Sequence, residues 1–368
     1  MYYAFLGHQP ELSTSELAAL TGVSPVLVLP NLVSLPLSSN LLDVADKLGG
    51  TSKVASTIVT SLPSVLLSKL VELIVASPAK NISISNFSAF ETPPEVIRSL
   101  KEQVTAVRPV RFVSFNSSGH ELLMLKKKHV DEFNLIPNGD KITIAKTVWI
   151  YDSLAWAARD RRRPYQNIKK GMLPLKIARI MVNLATQGRE GLMVLDPFCG
   201  TGTILAEAML TGCNVVGSDI DKEAVKGSTA NLTWLSQKTP LASSFKLFSA
   251  DATHVDQGVN SADCIVTEPF LGPLLDSRHQ LSRQKIKNVA KGIEKLYRGA
   301  LKNWFKILSS KAGSRVVIIL PEFHLDGHVI PTLSLDTIQA LGYNCVLSVA
   351  YHKPGATVIR NITILEKK

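Results

Sequence analysis

Cysteine is scarce and long apolar runs are missing. The four cysteines, Cys199, Cys213, Cys264 and Cys345, form no CxxC pair and no zinc spacing, which excludes a zinc module and a disulfide scaffold. They read as free thiols in a reducing cytoplasm. No stretch of ~18 uninterrupted apolar residues occurs, so no membrane span is expected. The greasiest region, Val23 to Leu42, is broken by Pro25, Pro30 and Pro36. Met1 to His8 lack the cationic start and long apolar run of a secretory signal. There is no repeat period, no low-complexity tract, and no GxxxxGKS or GxxxxGKT loop, which excludes a nucleoside-triphosphate P-loop.

Acidic residues are outnumbered, 30 Asp+Glu against 41 Lys+Arg, a formal net charge of +11. Such a balance points to a polyanionic partner. Between Arg98 and Arg179 there are 17 Lys+Arg and 7 Asp+Glu, whereas the remaining 286 residues carry 24 and 23. The basicity therefore reads as local. A length of 368 residues suggests two domains. The first ~90 residues, rich in Ser, Leu, Val and Pro, read as α+β. Glu95–Val107 is expected to be a helix, and Pro109–Phe115 and Ile142–Ile150 strands. The division is expected as an α+β region over 1–150, a basic linker over 151–170, and a catalytic α/β domain over 171–368. From Met193 onward strands and helices alternate, which implies a mainly parallel sheet with helices on both faces and ligands beyond the strands' carboxyl ends.

The turn Leu195-Asp196-Pro197-Phe198-Cys199-Gly200-Thr201-Gly202-Thr203 runs from a strand into a helix. Its glycines permit positive φ and let a ligand lie against the main chain. A dinucleotide site wants a small residue three positions after the second glycine, where Leu205 stands. The leading acid, Asp196, would repel a pyrophosphate. An acid followed by GxG suits a cationic cofactor without phosphate, S-adenosylmethionine. Asp219 follows the next strand, with Ile220 beside it, and is placed to accept ribose hydroxyls. Asp251 and Ala252 follow a third strand, where the acid can accept from an adenine amino group. Phe198, Gly200, Thr201, Gly202 and Thr203 complete the candidate cofactor site.

The next strand ends in Thr267-Glu268-Pro269-Phe270-Leu271-Gly272. This segment resembles the T-D-P-P-Y-G motif of amino-group methyltransferases. With Asp196–Thr203 and Gly217–Asp221, it is similar to the THUMP-domain RNA methyltransferases, most of all the tRNA guanosine-10 N2-methyltransferases. Lys170–Lys176 resembles that family's entry helix, Asn231-Leu232 falls where its second helix carries Asn, and Phe5–Ser13 is similar to the start of its RNA-binding half. The resemblance covers roughly 165–275 most strongly. It implies a class I, Rossmann-like catalytic domain with a seven-stranded sheet, preceded by a THUMP-like RNA-binding domain. It departs at three positions: Glu268 replaces the Asp, Phe270 the second Pro, and Leu271 the Tyr.

An exocyclic amine on a purine is a poor nucleophile. A carboxylate and a backbone carbonyl from a rigid X-Pro turn can hold it, localise its lone pair and take up charge during in-line attack. Thr267, Glu268, Pro269 and Phe270 are thus the candidate catalytic residues. C5-pyrimidine methylation would need a reactive thiol, and neither Cys199 nor Cys264 is placed for one.

The candidate RNA contacts are Lys126, Lys127, Lys128, Arg161, Arg162, Arg163, Lys169 and Lys170, since Lys and Arg neutralising phosphates supply most non-specific nucleic-acid affinity. The leading expectation is a cytoplasmic, S-adenosylmethionine-dependent methyltransferase acting on a guanine amino group of tRNA. Two alternatives stay open, a DNA adenine- or cytosine-amino methyltransferase and an RNA-binding protein with a vestigial catalytic domain. The need for a small activating subunit is open as well.

Overall fold

Two sheets organise the chain in this computed structural model, which describes residues 1–87, 94–114, 121–167, 172–273, 282–325, 327–351 and 356–368. Two units result: Met1–Asp46 with Gly50–Ala157, and Lys47–Gly49 with Ala158–Lys368.

In the first unit β1 (Tyr2–Leu6), β2 (Val26–Leu29), β3 (Leu32–Leu35), β4 (Thr51–Ser61), β5 (Asn81–Asn86), β6 (Arg111–Phe112), β7 (Val130–Asn138) and β8 (Lys141–Ile150) form one sheet, ordered β2-β3-β1-β4-β8-β7-β5-β6. Only β5 runs parallel to its neighbours, β6 and β7, among these pairs. The period-2 alternation of strand side chains divides the core. Ile82, Phe133, Leu135, Ile142 and Ile144 face helices α3 (Leu66–Ala76) and α4 (Pro94–Val107). Their neighbours Ile136 and Ala145 point to the other face, with Tyr3, Phe5 and Leu32. Leu66, Leu70 and Ile74 recur at the helical spacing that buries one stripe. Helices α1 (Pro10–Thr21), α2 (Leu41–Val44) and α5 (Glu121–Lys127) lie between strands in the chain. The strand expected over Pro109–Phe115 shortens to Arg111–Phe112. Pro109 has no N–H to give a ladder, and Phe115 lies outside the described residues. Where a linker is expected over 151–170, helix α6 (Ser153–Arg161) forms.

The second unit contains α7 (Leu175–Thr186), β9 (Met193–Asp196), α8 (Thr203–Leu210), β10 (Asn214–Asp219), α9 (Lys222–Lys238), β11 (Phe245–Ser249), β12 (Cys264–Thr267), α10 (Arg283–Ile307), β13 (Arg315–Leu325), β14 (His328–Pro331), α11 (Leu335–Ala340), β15 (Tyr343–Tyr351) and β16 (Val358–Lys367). Seven strands run in the order β11-β10-β9-β12-β13-β16-β15, with β14 added to β13 outside that path. The first five are parallel; β16 runs antiparallel to both β13 and β15, so β15 runs with the first five. From β9 the chain winds outward to β10 and β11, then returns to place β12 on β9's other side. That reversal is a topological switch point, where open α/β sheets bind ligands. Helix α10 packs Ile286, Ile293, Tyr297, Leu301 and Trp304 into the core under this edge.

Candidate functional site

The two strands at the switch point each deliver a turn. After β9, Gly200 and Gly202 take φ values of 51° and 77°, in the left-handed region that disfavours other residues. The glycines serve different ends. A Cβ on Gly202 would lie 2.3 Å from Ser228 Oγ, so this glycine lets α9 approach the turn. A Cβ on Gly200 would meet only the Phe198 carbonyl, at 3.9 Å, so the main chain there faces open space. Gly200 N–H donates to Asp219 Oδ2 at 3.0 Å, and Asp221 N–H to Asp219 Oδ1 at 3.0 Å. Thr201 and Thr203 hydroxyls lie 3.2 Å apart. Phe198 is half-buried, edge-on to Trp304 with ring centres 6.3 Å apart, and Ile220 is 73% exposed. Asp251 is exposed and caps the turn at Ala252–Gln257, accepting from Thr253 N–H and its hydroxyl, both at 2.8 Å. Those bonds hold its carboxyl below the usual range. Ala252 is buried and its carbonyl accepts from Trp304 Nε1 at 3.0 Å.

Asp196 is placed differently from its expected role toward a cation. It is 1% exposed, and its Oδ1 accepts from Phe198 N–H at 3.1 Å and Thr267 Oγ1 at 2.7 Å. The register that sets Leu195 beside Ile265 makes this contact possible. Burial pushes its carboxyl up to about 7 against the pull of those two bonds, and the charges of Asp219 and Glu268 add to the rise. Asp196 therefore ties the two turns together.

In the second turn Thr267 and Pro269 are buried, Glu268 is mostly buried and Phe270 is 55% exposed. Burial raises the Glu268 carboxyl, opposed by the charge of Arg360, whose Nε lies 3.2 Å from Glu268 Oε1. The Tyr297 hydroxyl, from α10, donates to the Phe270 carbonyl at 2.9 Å. Arg360 and Tyr297 were invisible to motif reading, because β16 and α10 bring them from far along the chain. Cys264 donates to the Ala185 carbonyl at 3.2 Å, and burial pushes its thiol up to about 11. Burial also raises the Cys199 thiol, so neither is poised as a thiolate.

Among the candidate RNA contacts, Lys127, Lys128, Arg161 and Arg162 are exposed, and Lys126 pairs with Asp152 at 3.0 Å. Lys169 and Lys170 lie outside the described residues. Arg163 is a correction: it is buried, 8% exposed, with Nη1 donating to Thr203 Oγ1 at 2.8 Å and Nη2 to Met172 Sδ at 3.2 Å. It braces the glycine turn at Thr203 and its guanidinium is turned away from solvent. Beside it, the fully buried Glu207 carboxylate draws in Arg159 at 3.3 Å and Arg179 at 2.6 Å, as a buried charge requires. Asn231 does more than the resemblance implied. Its Oδ1 accepts from Tyr165 N–H at 2.8 Å, and its Nδ2 donates to the Tyr165 and Thr201 carbonyls, each at 2.9 Å.

Residues 161–322 match the UPF0020 family, described as RMKL-like, methyltransferase domain. Among curated proteins, the tRNA (guanine(10)-N2)-dimethyltransferase of Methanothermobacter thermautotrophicus is 41% identical over 117 residues, 31% of this chain and 32% of that protein. That of Pyrococcus abyssi is 29% identical over 209 residues, 56% of this chain and 53% of that protein. The tRNA (guanine(10)-N(2))-methyltransferase of Mus musculus is 27% identical over 274 residues, 68% of this chain and 56% of that protein. The chain thus spans about a third to about half of the length of these relatives. TrmN from Thermus thermophilus, a solved structure, matches with a TM-score of 0.54 and 19% identity, covering 100% of this chain and 99% of that one. That likeness shows the fold, a Rossmann-like α/β unit following an α+β unit. Among the described residues no helix is long and apolar enough to cross a membrane, and no group of three His, Cys, Asp or Glu could hold a metal ion.

Proposed function

We propose that this chain is an S-adenosylmethionine-dependent methyltransferase that modifies the exocyclic N2 amino group of a guanosine in tRNA, at position 10 as in the named relatives, and that it works in the cytoplasm. One observation carries the reading: an open glycine turn and an acid-Pro turn, delivered by neighbouring parallel strands, are joined by the Thr267–Asp196 hydrogen bond of 2.7 Å.

The donor set fits the cofactor. Open space over Gly200, the half-buried Asp219 at the end of β10 and the exposed Asp251 after β11 suit a nucleoside with a cationic substituent and no phosphate. When bound, the cofactor supplies an electrophilic methyl group on a sulfonium. Asp219 accepts ribose hydroxyls while its bond to Gly200 N–H keeps the turn in shape. Glu268 accepts one hydrogen of the guanine amine and the Pro269 carbonyl the other, because the Phe270 carbonyl is already engaged by Tyr297. Together they fix the nitrogen lone pair along the line of attack, the positioning that supplies much of such a rate. The exposed Phe270 ring stacks on the splayed base. The first unit is the THUMP-like RNA-binding domain, and Lys127, Lys128, Arg161 and Arg162 neutralise phosphates.

The test is methyl transfer from labelled S-adenosylmethionine to unmodified tRNA by the purified full chain, followed by nucleoside analysis. N2-methylguanosine is expected, and Glu268→Ala should lower the rate at least 100-fold. Methylation of duplex DNA but not tRNA would select the DNA amino-methyltransferase. Salt-sensitive tRNA binding without turnover would make the chain a binding protein.

A further inference from the structure

Helix α10 holds eight Lys or Arg and one Glu in its 25 residues. At ~100° per residue, Lys287, Lys291, Lys295, Arg298, Lys302 and Lys306 fall within one sector of about 100° on the helix surface. Glu294 lies outside that sector. All six are exposed. The buried residues Ile286, Ala290, Ile293, Tyr297, Leu301 and Trp304 occupy the opposite side. The stripe is about 28 Å long at 1.5 Å per residue. Arg298 faces Glu294 at 3.5 Å and Lys306 faces Asp256 at 3.2 Å, exposed pairs of the kind that water and salt largely screen. Among the described residues Lys287, Lys291, Lys295 and Lys302 have no carboxylate partner.

The stripe is also tied to the chemistry. Tyr297 on the buried side of α10 holds the Phe270 carbonyl, and a Cβ on Gly272 would touch Val289 and Ile293 at 3.4 Å. The helix leaves the catalytic end of the sheet and descends to the bridge between Ala262 and Leu308 at the start of β12. A polyanion reaching the catalytic turn can therefore run down the outer side of α10 past four lysines without a carboxylate partner, where the bordering acids Glu294 and Asp256 are each met by a cation, Arg298 and Lys306.

We propose that this face of α10 is a second RNA-backbone contact, on the catalytic unit itself, which tracks several consecutive phosphates of the substrate tRNA. The inference rests on the tRNA reading above. A point-by-point row of lysines favours phosphates over bases, since the one aromatic at the edge of the sector, Phe305, is half-buried and packed edge-on against Tyr343 with ring centres 5.4 Å apart; it favours RNA over an acidic protein surface because the charges repeat along a line.

The test uses the full chain carrying Lys287→Gln, Lys291→Gln, Lys295→Gln and Lys302→Gln together. Neutralising four phosphate contacts should make the slope of log K against log salt less negative by about three, and tRNA affinity at 0.1 M salt should fall at least tenfold. S-adenosylmethionine affinity should stay within twofold, since none of the four touches the cofactor turn. If the quadruple variant loses cofactor binding through misfolding, the pairs Lys287→Gln/Lys291→Gln and Lys295→Gln/Lys302→Gln should each shift the slope by about 1.5. If the unaltered chain methylates tRNA and every variant keeps its slope within half a unit, the α10 inference is overturned and the function stands. An acidic protein partner bound by this face would give that same unchanged slope. If the unaltered chain neither binds nor methylates tRNA, both readings fall.

Discussion

Asp196→Asn isolates the cost of a carboxylate held dry between two turns. Asn keeps an acceptor oxygen for the Phe198 N–H and the Thr267 hydroxyl, the two bonds that Asp196 receives, but cannot ionise. Asp196 is raised from 3.8 to about 7, so the folded chain holds a proton there that the unfolded chain has released. The stability from this group is therefore complete below pH 3.8 and is lost as pH rises through 7. Between pH 5 and pH 8 the loss amounts to roughly 2.5 kcal/mol. The extra amide N–H of Asn costs about 1–3 kcal/mol if left without a partner, an offset that does not vary with pH. Calorimetric or urea unfolding of both proteins at pH 5, 6, 7 and 8 should thus show the difference moving in the variant's favour by roughly 2.5 kcal/mol across the series. A difference that stays level within 1 kcal/mol would mean that Asp196 ionises as an ordinary acid, and its reading as a tie between the turns would fail.

The other predictions concern neighbouring groups. Gly202→Ala must adopt φ near 77° and collide with Ser228 Oγ, costing about 1–3 kcal/mol by thermal unfolding; adding Ser228→Gly should recover the collision but not the strain. Asn231→Ala strands the Tyr165 N–H and two carbonyls and should cost roughly 2–4 kcal/mol, with Asn231→Asp in between. Arg163→Gln should lower stability without altering the salt dependence of tRNA binding. Arg161→Gln with Arg162→Gln should do the reverse, reducing the slope by one to two. On the proposed mechanism Glu268 accepts the amine only when ionised, and burial raises its carboxyl above 4.5, so the acid limb of the methylation rate should lie above that pH. Arg360→Met should push the limb higher and Arg360→Lys should return it.

Local signals made the cofactor turn legible. A strand, a glycine turn and a helix announce themselves within ten residues, and α8 begins at Thr203, where the turn was expected to run into a helix. The acid-Pro turn after β12 was legible for the same reason. What escaped is built from distant parts. Arg360 reaches Glu268 because β16 pairs with β13 in an antiparallel register that sets Arg360 beside Pro321, and no local pattern encodes that pairing. Arg163 looked like one of three equivalent arginines, yet its side chain turns inward to Thr203 while Arg161 and Arg162 stay in water. Charge counting misled in a related way: over the 286 residues outside the basic segment the signs nearly cancel, and the lysines of α10 vanish into that average although they share one face. Strand β4, with the buried Lys53 held 2.6 Å from Glu132, hides a core position behind a residue type that is nearly always exposed.

The triple grip of Asn231 bears on where this chain can be cut. A protease nick or an engineered start at residue 171 would look natural from the change in composition there. Such a fragment would lack Arg163 and Tyr165. It would leave the Thr203 hydroxyl without its cation, Asn231 with one carbonyl to hold, and the surface of Gly227, on which the Tyr165 ring now rests, open to water. A fragment beginning at Ala158, where the long segment of the second unit begins, keeps all of these, and its resistance to digestion against that of the shorter one would measure how far the second unit reaches back into the basic segment.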